Sequence, residues 1–446
     1  MSSKKIFILE AALLAAMFVT GSLWAQELKF DGYLNSGLGI VVDNNEDHDL
    51  YVKPFGVDSE SNGFRLRLNG SYTNEAKNAG VKFRLQAQRR MDQAGYLSMP
   101  YLYGWAGFLE NKITLTGGLV DDSTWTSADW WWNDDTGEGF GLLLKAEPVK
   151  GLNLGVGAYT ISQQSGGSNN MLQFTPITAV TDPITGDVTY TSGANRLPNF
   201  GEIMLKPEDV KYTFNAAYTL PDAFRLGAVF RAKNKAGWTG TRYLDNDDYE
   251  YGGREESMFL QTELRVLAVK NLTAVVVGTF DKLEKFDKRG NMIFSETFGY
   301  KADNLNFGLN AVQFLYNRTN ASDEKIDMNP GLLFNPWISY TIDKVVPRLD
   351  LVYFMGGQSK TANGNNQWER RGFANVAKAK DADDDYSVFS VRPSVKINLD
   401  SKTFLEIGDM INYDMAAKDG AYKDSGDANK KSLLTNVFYI DLKFSF

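Results

Sequence analysis

The chain has 446 residues, a formal net charge of −8, 13% aromatic residues and 41 glycines. Its negative charge argues against nucleic acid as a partner, and with no cysteine it has neither a disulfide framework nor thiol chemistry. Past residue 25 no window of about 18 apolar residues occurs, which excludes helical membrane spans, yet the 28 Phe and 21 Tyr suit strands with one greasy and one wet face.

Lys4 and Lys5 precede an apolar stretch over 6–19, and Gly21, Ser22 and Ala25 supply small residues before a cleavage point after Ala25. That is the layout of a secretory signal peptide, not of a membrane anchor. Glu10 interrupts its core, and Leu23 stands where a smaller residue is usual. The expectation is loss of residues 1–25 and one mature domain over 26–446.

Apolar and polar residues then alternate in run after run, the period of a strand with two unlike faces. Phe64, Leu66, Leu68 and Tyr72 oppose Arg65, Arg67, Asn69 and Ser71. After a turn near 75–79, Val81, Phe83, Leu85 and Ala87 oppose Lys82, Arg84, Gln86 and Gln88. Hairpins of the same form turn at 148–151, at Pro221 and Asp222, at Lys270 and Asn271, at 301–303, near 344–347 and at 400–402. Between them lie polar stretches rich in Gly, Asn and Asp: 43–62, 123–137, 164–208, 234–255, 319–330, 360–385 and 415–432.

Short connections thus take turns with long ones. About 18 strands result, the first over 28–41; one missed or invented hairpin makes the count about 16 or 20. An even count starting in the periplasm places every tight turn there and every long stretch outside. The apolar faces are almost free of charge, as lipid demands when a Lys or Arg at the bilayer midplane costs about 2–4 kcal/mol. Asp409, between Ile407 and Ile411 on the apparent outer face, is the exception; a bulge or a place at the membrane rim would account for it. Only closure satisfies every backbone group of a sheet in lipid. The predicted fold is therefore an all-β, transmembrane, antiparallel up-and-down barrel with short periplasmic turns and long extracellular loops.

The polar faces carry the functional signal. Arg65, Arg67, Lys82, Arg84 and Arg90 crowd one early hairpin, with Arg65 and Arg67 opposite 86–90. Like charges side by side are costly unless water or acids screen them, so the wall is expected to be wet. Lys145, Arg225, Arg231, Arg265, Arg392, Lys396 and Lys443 extend it, against Glu263, Asp281, Glu406 and Asp441. Rings of charge bias which ions enter a pore. Two readings stay open: acidic loops fold in and pair with these cations, or the channel mildly favours anions.

Trp125, Trp130, Trp131 and Trp132 interleave with Asp121, Asp122, Asp129, Asp134 and Asp135 in and beside the stretch 123–137, the third external loop by strand count. They are either an interface girdle or loop cap, or a constriction whose rings and carboxylates contact sugars. The single histidine, His48, lies in the acidic run 43–49, which reads as a solvated loop; an EF-hand would want glycine where His48 stands. No catalytic constellation, metal site or cofactor motif rises above chance.

The last nine residues alternate without a break. Phe438, Ile440, Leu442, Phe444 and Phe446 share one face, Tyr439, Asp441, Lys443 and Ser445 the other, and the chain stops on an aromatic carboxylate. This resembles the C-terminal signal by which insertion machinery recognises bacterial outer-membrane β-barrels. The mature chain as a whole resembles outer-membrane porins of 16–18 strands, with no motif that fixes a subfamily. The resemblance implies an integral place in outer-membrane lipid, a homotrimer, and a third external loop that folds inward. At 16–18 strands an aqueous channel remains unless something plugs it, and the first strand is expected within a few residues of Gln26, leaving no room for a plug domain. The expected function is passive diffusion of small hydrophilic solutes or ions, without catalysis. The rival is a surface-exposed adhesion or structural barrel whose pore its loops block.

Overall fold

The computed structural model describes residues 27–43, 50–55, 64–89, 96–120, 139–160, 210–233, 257–319, 330–356, 386–414 and 434–446, with short strand pieces between 170–191, 241–251 and at 325–326. The chain runs through β1 (Glu27–Asp43), β2 (Phe64–Thr73), β3 (Ala79–Arg89), β4 (Tyr96–Phe108), β5 (Ile113–Val120) and β6 (Gly139–Val149). It continues in β7 (Leu152–Thr160), β8 (Val210–Leu220), β9 (Phe224–Lys233), β10 (Ser257–Val266), β11 (Leu272–Asp281) and β12 (Asn291–Ala302). It ends with β13 (Leu305–Tyr316), β14 (Gly331–Tyr340), β15 (Val345–Gly356), β16 (Tyr386–Asn398), β17 (Thr403–Asp414) and β18 (Leu434–Ser445). These 18 strands close into one antiparallel barrel. Two short strands join the same sheet: Leu50–Phe55 beside β1, and Asn170–Gln173 beside the external end of β4.

Closure is made by β1. Tyr33–Asp43 pairs with β18 and Glu27–Asn35 with β2, and Gly32 and Phe446 exchange backbone hydrogen bonds of 3.2 and 3.1 Å. A Cβ at Gly32 would run into the Arg67 carbonyl and the Phe446 ring, so this crossing needs glycine. Inside the seam, Asn35 Nδ2 donates to Asp441 Oδ2 at 2.8 Å, with both side chains fully buried.

Tight turns join the strands at one end of the barrel, and residues able to hold positive φ build them: Lys77, Asn111, Asp222, Asn271, Asp303 and Asp343. Asp400 accepts from the backbone N–H groups of Lys402 and Thr403 at 2.6 and 2.8 Å, which hold its carboxyl below the ordinary carboxylate range. The turn expected near 344–347 comes earlier. β15 already starts at Val345, and Pro347 fits in it because the ladder with β14 stops at Arg348, where a missing N–H costs nothing. At the other end, the connection between β11 and β12 folds into one helical turn over Phe286–Arg289, an element that no periodicity in the sequence announced.

The alternation maps onto two faces as expected. Phe64, Leu66, Phe214, Leu226 and Phe298 stand exposed on the outside, as lipid contact requires. Phe438, Ile440, Leu442 and Phe444 lie on this face too, 43–46% exposed, and Phe446 follows at 38%. Asp409 also points outward, opposite Phe438 in an unbroken register and in the middle of β17. Neither a bulge nor the rim explains it, and Asn436 Nδ2 approaches its Oδ2 at 3.5 Å instead.

The seam yields a stability prediction. Asn35→Ala strips a buried donor from Asp441 and should cost about 1–3 kcal/mol, read as a lower unfolding temperature of the heat-modifiable band on gels. Lipid-facing Ser36→Ala should leave that temperature where it was.

Candidate functional site: the inner wall of the barrel

β2 and β3 set Arg65, Arg67, Lys82 and Arg84 on the inner face, but not against one another. Arg65 lies opposite Gln88, Arg67 opposite Gln86, Arg84 opposite Asn69 and Lys82 opposite Ser71. Arg67 Nε donates to Gln86 Oε1 at 2.9 Å and Arg84 Nε to Asn69 Oδ1 at 2.8 Å. Neutral side chains, rather than water alone, thus separate the cations across this hairpin. Aromatic rings do the rest. The Arg67 guanidinium lies 5.3 Å from the Tyr33 ring centre and that of Arg84 4.8 Å from Tyr101. Lys443 sits 4.9 Å from the same Tyr33 ring, and Lys396 4.1 Å from Phe404.

A second group lies across β9 and β10. Arg225 and Arg265 face each other directly, and Glu263 Oε1 stands 3.8 and 3.7 Å from their Nε atoms. Nearer the external end, Arg231 is 2% exposed with its guanidinium 4.9 Å from the Phe259 ring centre.

Of the third group only Arg392 was foreseen. Arg348 grips Asp350 with two hydrogen bonds of 2.6 and 2.7 Å and stacks 4.5 Å from the Trp337 ring centre. Asn335 Nδ2 donates to the same carboxylate at 3.2 Å. Arg392 lies opposite Asp350 in the register and donates from Nε to Ser390 Oγ at 2.9 Å. Arg348 escaped notice because it follows a proline in a stretch read as a turn. Arg90, Trp125, Asp129, Trp130, Trp131 and Trp132 lie outside the described residues, as do His48 and the Asp281 side chain. Among the described residues no three of His, Cys, Asp and Glu cluster as a metal would need.

Height decides how wet each of these groups is. On β1, Lys29 and Asp31 near the periplasmic end are exposed, whereas Asn35 and Val41 are buried. On β11, Thr273 is exposed, while Val275, Val277 and Thr279 are buried. β2 runs from half-buried Ser71 to buried Arg65, and β18 from half-buried Lys443 to buried Tyr439 and Val437. Much of the buried external half is also apolar: Leu143, Val277, Leu333, Phe354 and Val437 face inward, each at most 2% exposed. The inner face is thus wetter and more basic on the periplasmic side and buried toward the exterior, where apolar side chains are mixed with polar ones such as Arg65, Thr213, Arg231 and Asn412.

Solved structures share this fold. OccK1 (OpdK) of Pseudomonas aeruginosa superposes with a TM-score of 0.51 at 10% identity, covering 94% of this chain and 98% of that one. A second structure of the outer membrane protein opdK from the same organism gives 0.50 at 9% identity, with coverages of 94% and 98%. OccAB4 of Acinetobacter baumannii gives 0.48 at 10% identity over 94% and 98%. No protein-family model and no curated protein sequence matches the chain. The fold is that of an integral outer-membrane β-barrel.

Glu263 is the acid between two opposed arginines, so its removal isolates the charge of the wall. Glu263→Gln should raise the preference for anions by a modest part of the roughly tenfold or larger effect of a whole one-signed cleft. The reversal potential in a salt gradient reads the change.

Proposed function

We propose that the chain is a porin through which small hydrophilic solutes or ions diffuse passively across the outer membrane, with a mild preference for anions. The observation that carries this reading is the periplasmic part of the inner face. Its inward-facing cations Lys29, Arg67, Lys82, Arg84, Lys396 and Lys443 keep some exposure to the lumen. The nearby inward acids are fewer, Asp31, Glu406 and Asp441, the last fully buried. Amide and aromatic partners hold Arg67 and Arg84 in place, so a passing anion meets charge that is already oriented. On this reading residues 1–25 serve as the export leader, and the insertion machinery reads the last strand. Contact with sugars at Trp125, Trp130, Trp131, Trp132 and Asp129 would be a further filter and rests on the sequence alone.

The burial of inward side chains in the external half favours a second reading, a barrel blocked there that serves at the cell surface. Planar bilayers separate the two. Stepwise conductance from the purified protein supports the channel, while a silent bilayer with folded, heat-modifiable protein supports the blocked barrel. If the channel conducts, changing Arg65, Arg67 and Arg84 together to Ser should move the reversal potential toward zero. An unchanged potential would remove the basic wall as the source of selectivity.

A further inference from the structure

Among the described side chains of the lipid-facing wall, two are charged: Glu296 on β12 and Asp409 on β17. Register fixes the outward aim of Glu296, since its direct neighbours are Val276 and Ala311, both on the outer face. It sits in mid-strand, away from either rim. Beside it Gln313, also outward, donates from Nε2 to Glu296 Oε1 at 3.4 Å. Hydrocarbon offers such a pair nothing further, and polar groups at that depth characteristically meet protein.

The wall next to the two acids differs. Asp409 is enclosed by Ile407, Ile411 and Phe438. Next to Glu296 the wall is thin, because Ala216, Ala228, Thr262 and Gly278 succeed one another as direct cross-strand neighbours over β8 to β11. They floor an open groove of about 600 Å³ bounded by Leu226, Leu264, Val276 and Phe294. Phe298, two residues along β12 from Glu296, and Phe334, beyond Ala311 on β14, are 54% and 41% exposed. An acyl chain could fill the groove but would leave the carboxylate in hydrocarbon.

We propose that this face is the contact between two copies of the barrel, related by a twofold axis along the membrane normal. Such an axis brings each Glu296–Gln313 pair against the same pair at the same depth, as an isologous contact requires. An amide nitrogen has two N–H donors. One serves the Glu296 of its own chain and the other reaches the partner's Glu296, while exposed aromatic knobs of one copy enter the groove of the other.

The chain has no cysteine, which allows a direct test in reconstituted bilayers. Leu315→Cys, one outward position beyond Gln313, should give a disulfide-linked species of twice the chain mass on oxidation. Leu66→Cys on the far wall should give none. Native mass spectrometry in detergent should find two chains in the unsubstituted particle, and Glu296→Leu should cut that dimer fraction at least tenfold while the barrel stays heat-modifiable. If Glu296→Leu fails to insert, Gln313→Leu reads the same contact. A one-chain particle, a three-chain particle without the 315 link, or a dimer indifferent to both substitutions would overturn the proposal.

Discussion

A sheet in hydrocarbon has no solvent to satisfy an open edge, so every other property of this molecule depends on the seam between its first and last strands. β1 makes that seam with two partners at once, its external part on β18 and its periplasmic part on β2. The terminal Phe446 is tied to Gly32 through the backbone in both directions. The C-terminal alternation that suggests an insertion signal is therefore also the edge that completes the ladder. One short segment supplies the greasy outer face and the final hydrogen bonds.

Closure frees the inner face to vary with height. Lipid constrains the outside over the whole span, whereas the inside answers only to whatever fills the lumen. Here it is basic and partly exposed toward the periplasm, then buried toward the exterior, with apolar and polar side chains mixed. Arginines of the early hairpin have neutral partners among their contacts, Gln86 for Arg67, and Asn69 and Tyr101 for Arg84. Arg348 differs: its charge is matched by the Asp350 carboxylate at 2.6 Å, although its side chain stays 36% exposed.

Much of the architecture was legible because lipid enforces strict alternation on one face. Strand number, turn side and the aim of Arg65, Arg67 and Arg84 all follow from period two. What escaped was whatever breaks that period. In the runs 142–144 and 275–277 both faces are apolar, so nothing marks Leu143 and Val277 as inward residues. Proline at 347 suggested a turn where the strand had merely outrun its partner on one side. Glu296 hides among Phe294, Phe298 and Tyr300 as an acid that alternation places on the wrong face, without saying what would meet it there.

A regularity runs through both faces: charged groups are accompanied by amides. Asn35 meets Asp441, Asn335 meets Asp350, Gln313 meets Glu296 and Asn436 meets Asp409. Gln86 and Asn69 do the same for Arg67 and Arg84. The acids meet their amides diagonally, one residue pair along the ladder, while the arginines meet theirs directly across it. Cross-strand neighbours in a barrel are fixed by register about 5 Å apart and cannot swing away from a poor match. An amide can accept from a guanidinium or donate to a carboxylate, and it brings no charge of its own to repel the next neighbour around the ring. In a wall where every residue has a partner on each side, that neutrality lets a charge stand on the inner face without repelling its neighbours.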